Sequence, residues 1–139
     1  MIHLLRTLFI GILIVMTWGT VQASLVQAMF DIPGEVTGNP WFQVTLLDAY
    51  FGFITFYVLI AWKEQRLAAR ILWFPVVILW GNFALAAYML RELFAVRADD
   101  PQALTQVFTK RCPGHLTMPV SFLIAGIIVY LLAAKNLLA

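Results

Sequence analysis

Polar residues interrupt this chain at only a few places, and between them run four apolar stretches, at about residues 4–25, 41–62, 71–90 and 118–138. Each approaches the roughly 20 residues that an α-helix needs to cross the ~30 Å hydrocarbon layer of a bilayer. The pattern predicts four transmembrane helices. The second has the clearest boundaries, because Asn39 can cap its orphan amides, Pro40 suits its first turn, and Lys63-Glu64-Gln65-Arg66 closes it. Pro75 predicts a kink or a first turn near the start of the third, and Thr117 and Pro119 open the fourth. The first ends in Val21-Gln22-Ala23-Ser24, which resembles a signal-peptidase site. Its length is that of a full span rather than of the ~7–15-residue signal core, so the helix is expected to stay.

The connections have patterns of their own. Residues 26–40 hold Asp31, Pro33, Gly34, Glu35, Gly38 and Pro40, turn formers suited to an ordered cap or a mobile lid. The connection between the third and fourth runs is too long for a turn. Asp99 or Asp100 can cap a helix beginning at Pro101, Leu104, Val107, Phe108 and Arg111 follow at helical spacing, and Cys112-Pro113-Gly114 stops it. The expected fold is all-α, one transmembrane domain over 1–139: an integral membrane four-helix bundle with a short interfacial helix between helices 3 and 4.

Composition supports the class. Hydrophobic residues make up 63% of the chain and charged residues 12%, against roughly 45–50% and about 25% in a soluble domain. So small a soluble chain would be left with large exposed apolar patches, whereas lipid covers them. Lys63, Arg66 and Arg70 crowd the tight 2–3 loop, while residues 26–40 hold no Lys or Arg. The 2–3 loop is therefore expected in the cytoplasm. With four spans both termini would join it, in a bacterial inner membrane or its equivalent. Arg91, Arg97, Lys110 and Arg111 in the 3–4 connection oppose this orientation, diluted by Glu92, Asp99 and Asp100. The net charge of +2 is spread thinly, with no basic run of the kind that binds nucleic acid. A lone cysteine, Cys112, excludes an internal disulfide.

Asp48 is the strongest chemical lead, since a carboxylate in hydrocarbon costs about 2.5–3.5 kcal/mol even on a lenient insertion scale. Trp41, Thr45, Asp48, Gly52 and Thr55 fall at steps of four, three, four and three, which is one small and polar helix face. Helix 1 repeats the pattern with Thr17, Thr20, Ser24 and Gln27, and helix 3 contributes Gly81 and Asn82. At ~1.5 Å per residue, Asp48, Asn82, Thr17 and Thr20 all lie about 8–12 Å inside the outer surface. Asp48, Thr45, Asn82, Thr17 and Thr20 thus form a candidate intramembrane polar site, with Asp48 expected to point inward and bond to Asn82, Thr17 or Thr20. Packing between helices is the plainer use of the Thr, Ser and Asn set.

Other chemistry is sparse. Cys112-Pro113-Gly114-His115 holds half of a metal site, but zinc needs about four ligands, or three with water, and His3 is expected across the membrane. It reads as a helix stop, so no metal site is expected. There is no Gly-rich phosphate loop, nucleophile elbow or haem-attachment motif, and no mid-span histidine to hold a haem or chlorophyll. The residues point to no cofactor and no catalytic set. Trp41, Trp62 and Trp73 suit the interfaces, and the deeper Trp18 and Trp80 suit packing or the wall of an apolar pocket.

The segment Asn39-Pro40-Trp41-Phe42, then Thr45-Leu46-Leu47-Asp48-Ala49-Tyr50-Phe51-Gly52-Phe53, then Lys63-Glu64, resembles a family of small multi-span membrane proteins of bacteria and plants known only as a domain of unknown function. The shared pattern is Pro-Trp, then Thr-Leu-x-Asp-x-Tyr-x-Gly-Phe, then Lys-Glu, with Trp18 and Ser24 fitting upstream. It covers about the first half of the chain. The resemblance implies a polytopic membrane protein, places Asp48 within the family motif, and supplies no activity.

The reading that asks least of this chain is an accessory or scaffold subunit, with the bilayer and other membrane subunits as partners. The aromatics Phe51, Phe53, Phe56 and Tyr57, expected to face outward, the small size and the limited polar chemistry fit it. The alternatives are a small proton-coupled transporter using Asp48, and a membrane enzyme acting on a lipid or isoprenoid with Asp48 as acid and residues 31–35 as lid. An acid without a clear base supports an enzyme only thinly.

Overall fold

A computed structural model describes the backbone of residues 1–138 and the side chains of residues 1–135. The described secondary structure is all helix, joined by loops: α1 Ile2–Val26, α2 Gly34–Thr37, α3 Pro40–Lys63, α4 Leu67–Trp80, α5 Asn82–Phe94, α6 Ala103–Thr109 and α7 Thr117–Leu138. Three of them, α1, α3 and α7, are long and apolar enough to cross a membrane. The α3 boundary follows its sequence signals: Asn39 Oδ1 accepts the Trp41 and Phe42 amides at 2.9 and 3.3 Å, and Pro40 takes the first position.

The third apolar run departs from expectation. Instead of one span over 71–90 it is two helices of 14 and 13 residues, ~21 and ~20 Å long, folded back on each other. The Trp73 and Tyr88 rings meet edge to face with centroids 5.1 Å apart; along one straight helix they would be separated by about 22 Å. The cause is Gly81, at φ 49° and ψ −124°, a conformation that a residue with a Cβ rarely adopts. A Cβ at Gly81 would also stand 2.6 Å from the Phe53 ring. Pro75, the expected disturbance, lies inside α4 without ending it. The architecture is therefore three span-length helices and a half-length hairpin rather than four spans.

The hairpin organises everything else. α1 packs along α5, while α3 and α7 flank α4. Ile60, Trp73, Val76, Val77, Ala84, Leu85 and Tyr88 form one core around the hairpin. Ile2, Met89, Leu93, Val96, Ala103 and Val107 form a second at its base. Arg6 at the start of α1 donates to the Leu93 and Val96 carbonyls at 2.8 and 3.0 Å. Tyr130 in α7 donates to the Leu79 carbonyl at the hairpin's far end at 2.9 Å. The chain thus begins at the base of the hairpin, and α7 runs from that base past its tip.

The long connection holds the short helix α6, within the expected 101–111. Asp100 fixes its start, accepting the Gln102 amide and the Gln106 side chain, both at 2.7 Å. The segment then turns back: Cys112 N donates to Lys63 O at 2.8 Å, and Gln65 N donates to Cys112 O at 3.0 Å. Gly114, at φ 82°, lets the strap pass against Arg66.

Candidate functional site

The end of α3 and the end of α5 carry matching charge pairs, Lys63-Glu64 and Arg91-Glu92, and the hairpin brings them together crosswise. Lys63 Nζ lies 2.7 Å from Glu92 Oε2, and Arg91 Nη2 lies 2.6 Å from Glu64 Oε1. Arg91 Nε adds a bond of 2.9 Å to Glu92 Oε1. Lys63, Glu64 and Glu92 are buried. Burying three of these four charges, with Arg91 partly exposed, is tolerable because the four sum to zero and bond one another; an isolated ion would cost several kcal/mol. Lys63 Nζ also donates to the Val107 carbonyl, which ties the strap to the network.

Cys112 completes the cluster. Its thiol donates to both Glu92 oxygens at 3.2 Å, and Arg91 Nη2 approaches Sγ at 3.5 Å. Burial and the Glu92 carboxylate push the thiol above its ordinary range, against Arg91 and Lys63. It stays protonated near neutral pH and serves as a donor rather than a nucleophile. Arg91 stacks over Tyr88 with Cζ 4.3 Å from the ring centre, and lies 6.0 Å from that of Trp73. Glu64 Oε2, Trp73 Nε1 and Tyr88 Oη, all buried, have no hydrogen-bond partner among the described residues. The arrangement acts as a clamp on three strands of chain: the end of α3, the end of α5 and the strap. Against it lies a cavity of about 240 Å³ bounded by Arg91, Glu92, Ala95 and Val96 on one side and by Gln106, Val107, residues 110–113 and His115 on the other.

The residues singled out from sequence lie elsewhere. Asp48 is exposed on α3 and makes no hydrogen bond or ion pair among the described residues; in particular none reaches Asn82, Thr17 or Thr20. Trp41, Thr45, Gly52 and Thr55 share its outward face, since all are exposed while Phe53, Phe56, Tyr57 and Ile60 pack inward. The hydroxyls of Thr45 and Thr55 bond to their own helix, at the Trp41 and Phe51 carbonyls, both at 2.8 Å. Thr20 and Asn82 do come together, lining a second cavity of about 270 Å³ at the hairpin tip with Met16, Tyr50 and Tyr130. Thr17 is exposed and outside that cavity. Cys112 and His115 both border the first cavity, and the described residues hold no group of three or more His, Cys, Asp or Glu with metal-binding geometry.

The sequence pattern uses Lys63 as a helix end and motif residue and, with Arg91, to orient loops, but does not join the two in a network. The available signal was an adjacent opposite-charge pair closing each of two apolar runs, electrically neutral when crossed. No curated protein and no solved structure matches the chain. Residues 2–136 match a protein family described as a protein of unknown function, DUF1475, and with that extent of match the chain belongs to the DUF1475 family.

Proposed function

We propose that this is a small multi-pass membrane protein that works as an accessory or scaffold subunit of a larger membrane assembly. One observation carries the reading: Asp48 stands unpartnered on the outward face of α3 with Thr45, Gly52 and Thr55. Facing lipid, that carboxylate costs about 2.5–3.5 kcal/mol; facing another protein helix it gains a partner, and Gly52 permits close approach. The rest of the first half supports this, because no residue from His3 to Leu59 is buried by the chain's own fold.

The hairpin supports an orientation for this reading. Of the nine Lys and Arg residues, Arg6, Lys63, Arg66, Arg70, Arg91, Arg97, Lys110 and Arg111 cluster toward the hairpin base, which leaves only Lys135 toward the other end. The base faces the cytoplasm, with the N-terminus beside it and α6 lying along the surface. On this reading three crossings carry α7 to the opposite side, an alternative to the expectation of both termini in the cytoplasm. The basic 3–4 connection then no longer conflicts with charge bias.

A second reading, a small carrier, has its own support. α4 and α5 end at Gly81 about 20 Å from the base, beside the cavity with Thr20 and Asn82. Broken helices inside a membrane line cavities or are buried in protein.

Purification in mild detergent separates the two. The subunit reading expects a partner at fixed stoichiometry, lost in Asp48→Leu while the protein still inserts. A small homo-oligomer that keeps its size in Asp48→Leu would overturn it.

A further inference from the structure

The cavity beside the ion clamp has the chemistry of an anion receptor. Glu92 has no acceptor to spare: Oε1 takes Arg91 Nε and the Cys112 thiol, and Oε2 takes Lys63 Nζ and the same thiol. Donors, by contrast, remain. Arg91 is 26% exposed and commits Nε and Nη2 to Glu64, Glu92 and Cys112, leaving Nη1 without a partner among the described residues. Lys110 and His115 border the same cavity, exposed and without side-chain hydrogen bonds among the described residues.

Charge points the same way. The four clamp groups cancel, so Lys110 leaves the cavity positive. Arg111 also borders it, but its guanidinium is held on Trp62, Cζ 4.8 Å from the ring and Nη2 2.9 Å from the carbonyl. Asp100 sits behind Gln106, bonded to it at 2.7 Å, and does not line the cavity. The remaining walls, including Val96, Val107 and Pro113, are apolar. At about 240 Å³ the space falls below the ~300–1,000 Å³ of pockets that enclose whole drug-sized ligands, so it suits a headgroup.

We propose that this cavity binds a phosphate-bearing anion, with Arg91, Lys110 and His115 as its donors, presented by the headgroup of an anionic lipid or as the free ion. This goes beyond the subunit reading and stands without it. Its position at the basic end of the spans, beside the exposed Phe94 and Phe108, favours the lipid.

The test uses the full chain in neutral detergent, titrated with dihexanoyl phosphatidylglycerol, dihexanoyl phosphatidylcholine and inorganic phosphate, with bound species counted by native mass spectrometry. One phosphatidylglycerol per chain is expected, at least tenfold tighter than phosphatidylcholine. Lys110→Gln should weaken it about fivefold, the effect of one basic residue near an anionic lipid surface. Arg97→Gln, exposed, paired with Asp99 at 3.2 Å and outside the cavity, should leave it unchanged. Saturable phosphate binding as tight as the lipid's would identify the free anion as ligand; tight lipid binding with weak phosphate binding would identify the headgroup. Equal retention of the two lipids with no saturable phosphate binding, or equal weakening by Lys110→Gln and Arg97→Gln, overturns the site. Lys110 is exposed, so loss of folding does not obscure the result; a thermal melt checks it.

Discussion

Around the hairpin, between Ile60 and Pro119, charged side chains are buried and paired, whereas from His3 to Leu59 not one residue is buried and the acid midway along α3 stands alone. The same chain thus treats ionisable groups in two opposite ways. At the base, opposite charges from α3 and α5 cancel locally, so burial is tolerable and fixes which helix ends meet. Along the outer halves of α1 and α3 none of the described residues buries the polar face. The contrast separates a self-sufficient unit, built on the hairpin, from helices whose faces look outward.

The largest effect should come from breaking the clamp. Glu92→Ala leaves the buried Lys63 ammonium without its carboxylate and should destabilise the protein by about 3–5 kcal/mol, read as a shift in denaturant or thermal unfolding in detergent. The double exchange Lys63→Glu/Glu92→Lys should recover part of that loss, because the pair is reversed rather than removed. If Glu92→Ala unfolds like the parent, the base is not the stable region and the comparison fails.

Next in size is the hairpin tip. Gly81→Ala places a Cβ in a disfavoured backbone region and against Phe53, for an expected loss of about 1–3 kcal/mol. An unchanged melting temperature would show that the chain does not reverse there.

Cys112 sharpens the electrostatic side. With its thiol held above the ordinary range by burial and by Glu92, its thiolate fraction at pH 8 is reduced. Maleimide should react with it several-fold more slowly than with a cysteine placed at the exposed Gln65, and the rate should climb as pH rises. Rapid labelling near neutral pH would mean that the thiol does not sit against Glu92.

The smallest effect belongs to the other half. Asp48→Asn and Leu47→Ala change exposed positions and should alter the isolated chain's stability by no more than about 0.5 kcal/mol. A loss as large as that of Glu92→Ala would show that Asp48 is packed within the chain.

Much of the frame was legible in advance. α1, α3 and α7, the Asn39-Pro40 start and a short helix within 101–111 all follow from hydropathy and capping chemistry, although that helix begins at Ala103 without a side-chain cap rather than at Pro101 under Asp99 or Asp100. The reversal at Gly81 was not, because twenty apolar residues satisfy the length rule for a span and a glycine among them reads equally as a packing residue. Only its positive φ, invisible in sequence, distinguishes the two. The clamp depended on that reversal, since Lys63-Glu64 and Arg91-Glu92 meet only if α5 returns to the base. Periodicity puts Trp41, Thr45, Asp48, Gly52 and Thr55 on one face of α3, but it does not say which way a face turns. A stripe of Thr, Asp and Gly serves contact with another chain as well as contact within its own.

The hairpin is the claim on which the clamp, the proposed three crossings and the cationic cavity all depend. Spin labels at Leu67 and Phe94, both exposed at the hairpin base, measured by pulsed electron resonance in lipid nanodiscs with Cys112→Ser as background, test it directly. Packed antiparallel helices ~8–10 Å apart, plus two label arms, place the spins within about 25 Å. A single helix through Gly81 would hold them about 40 Å apart, and that distance would contradict the account.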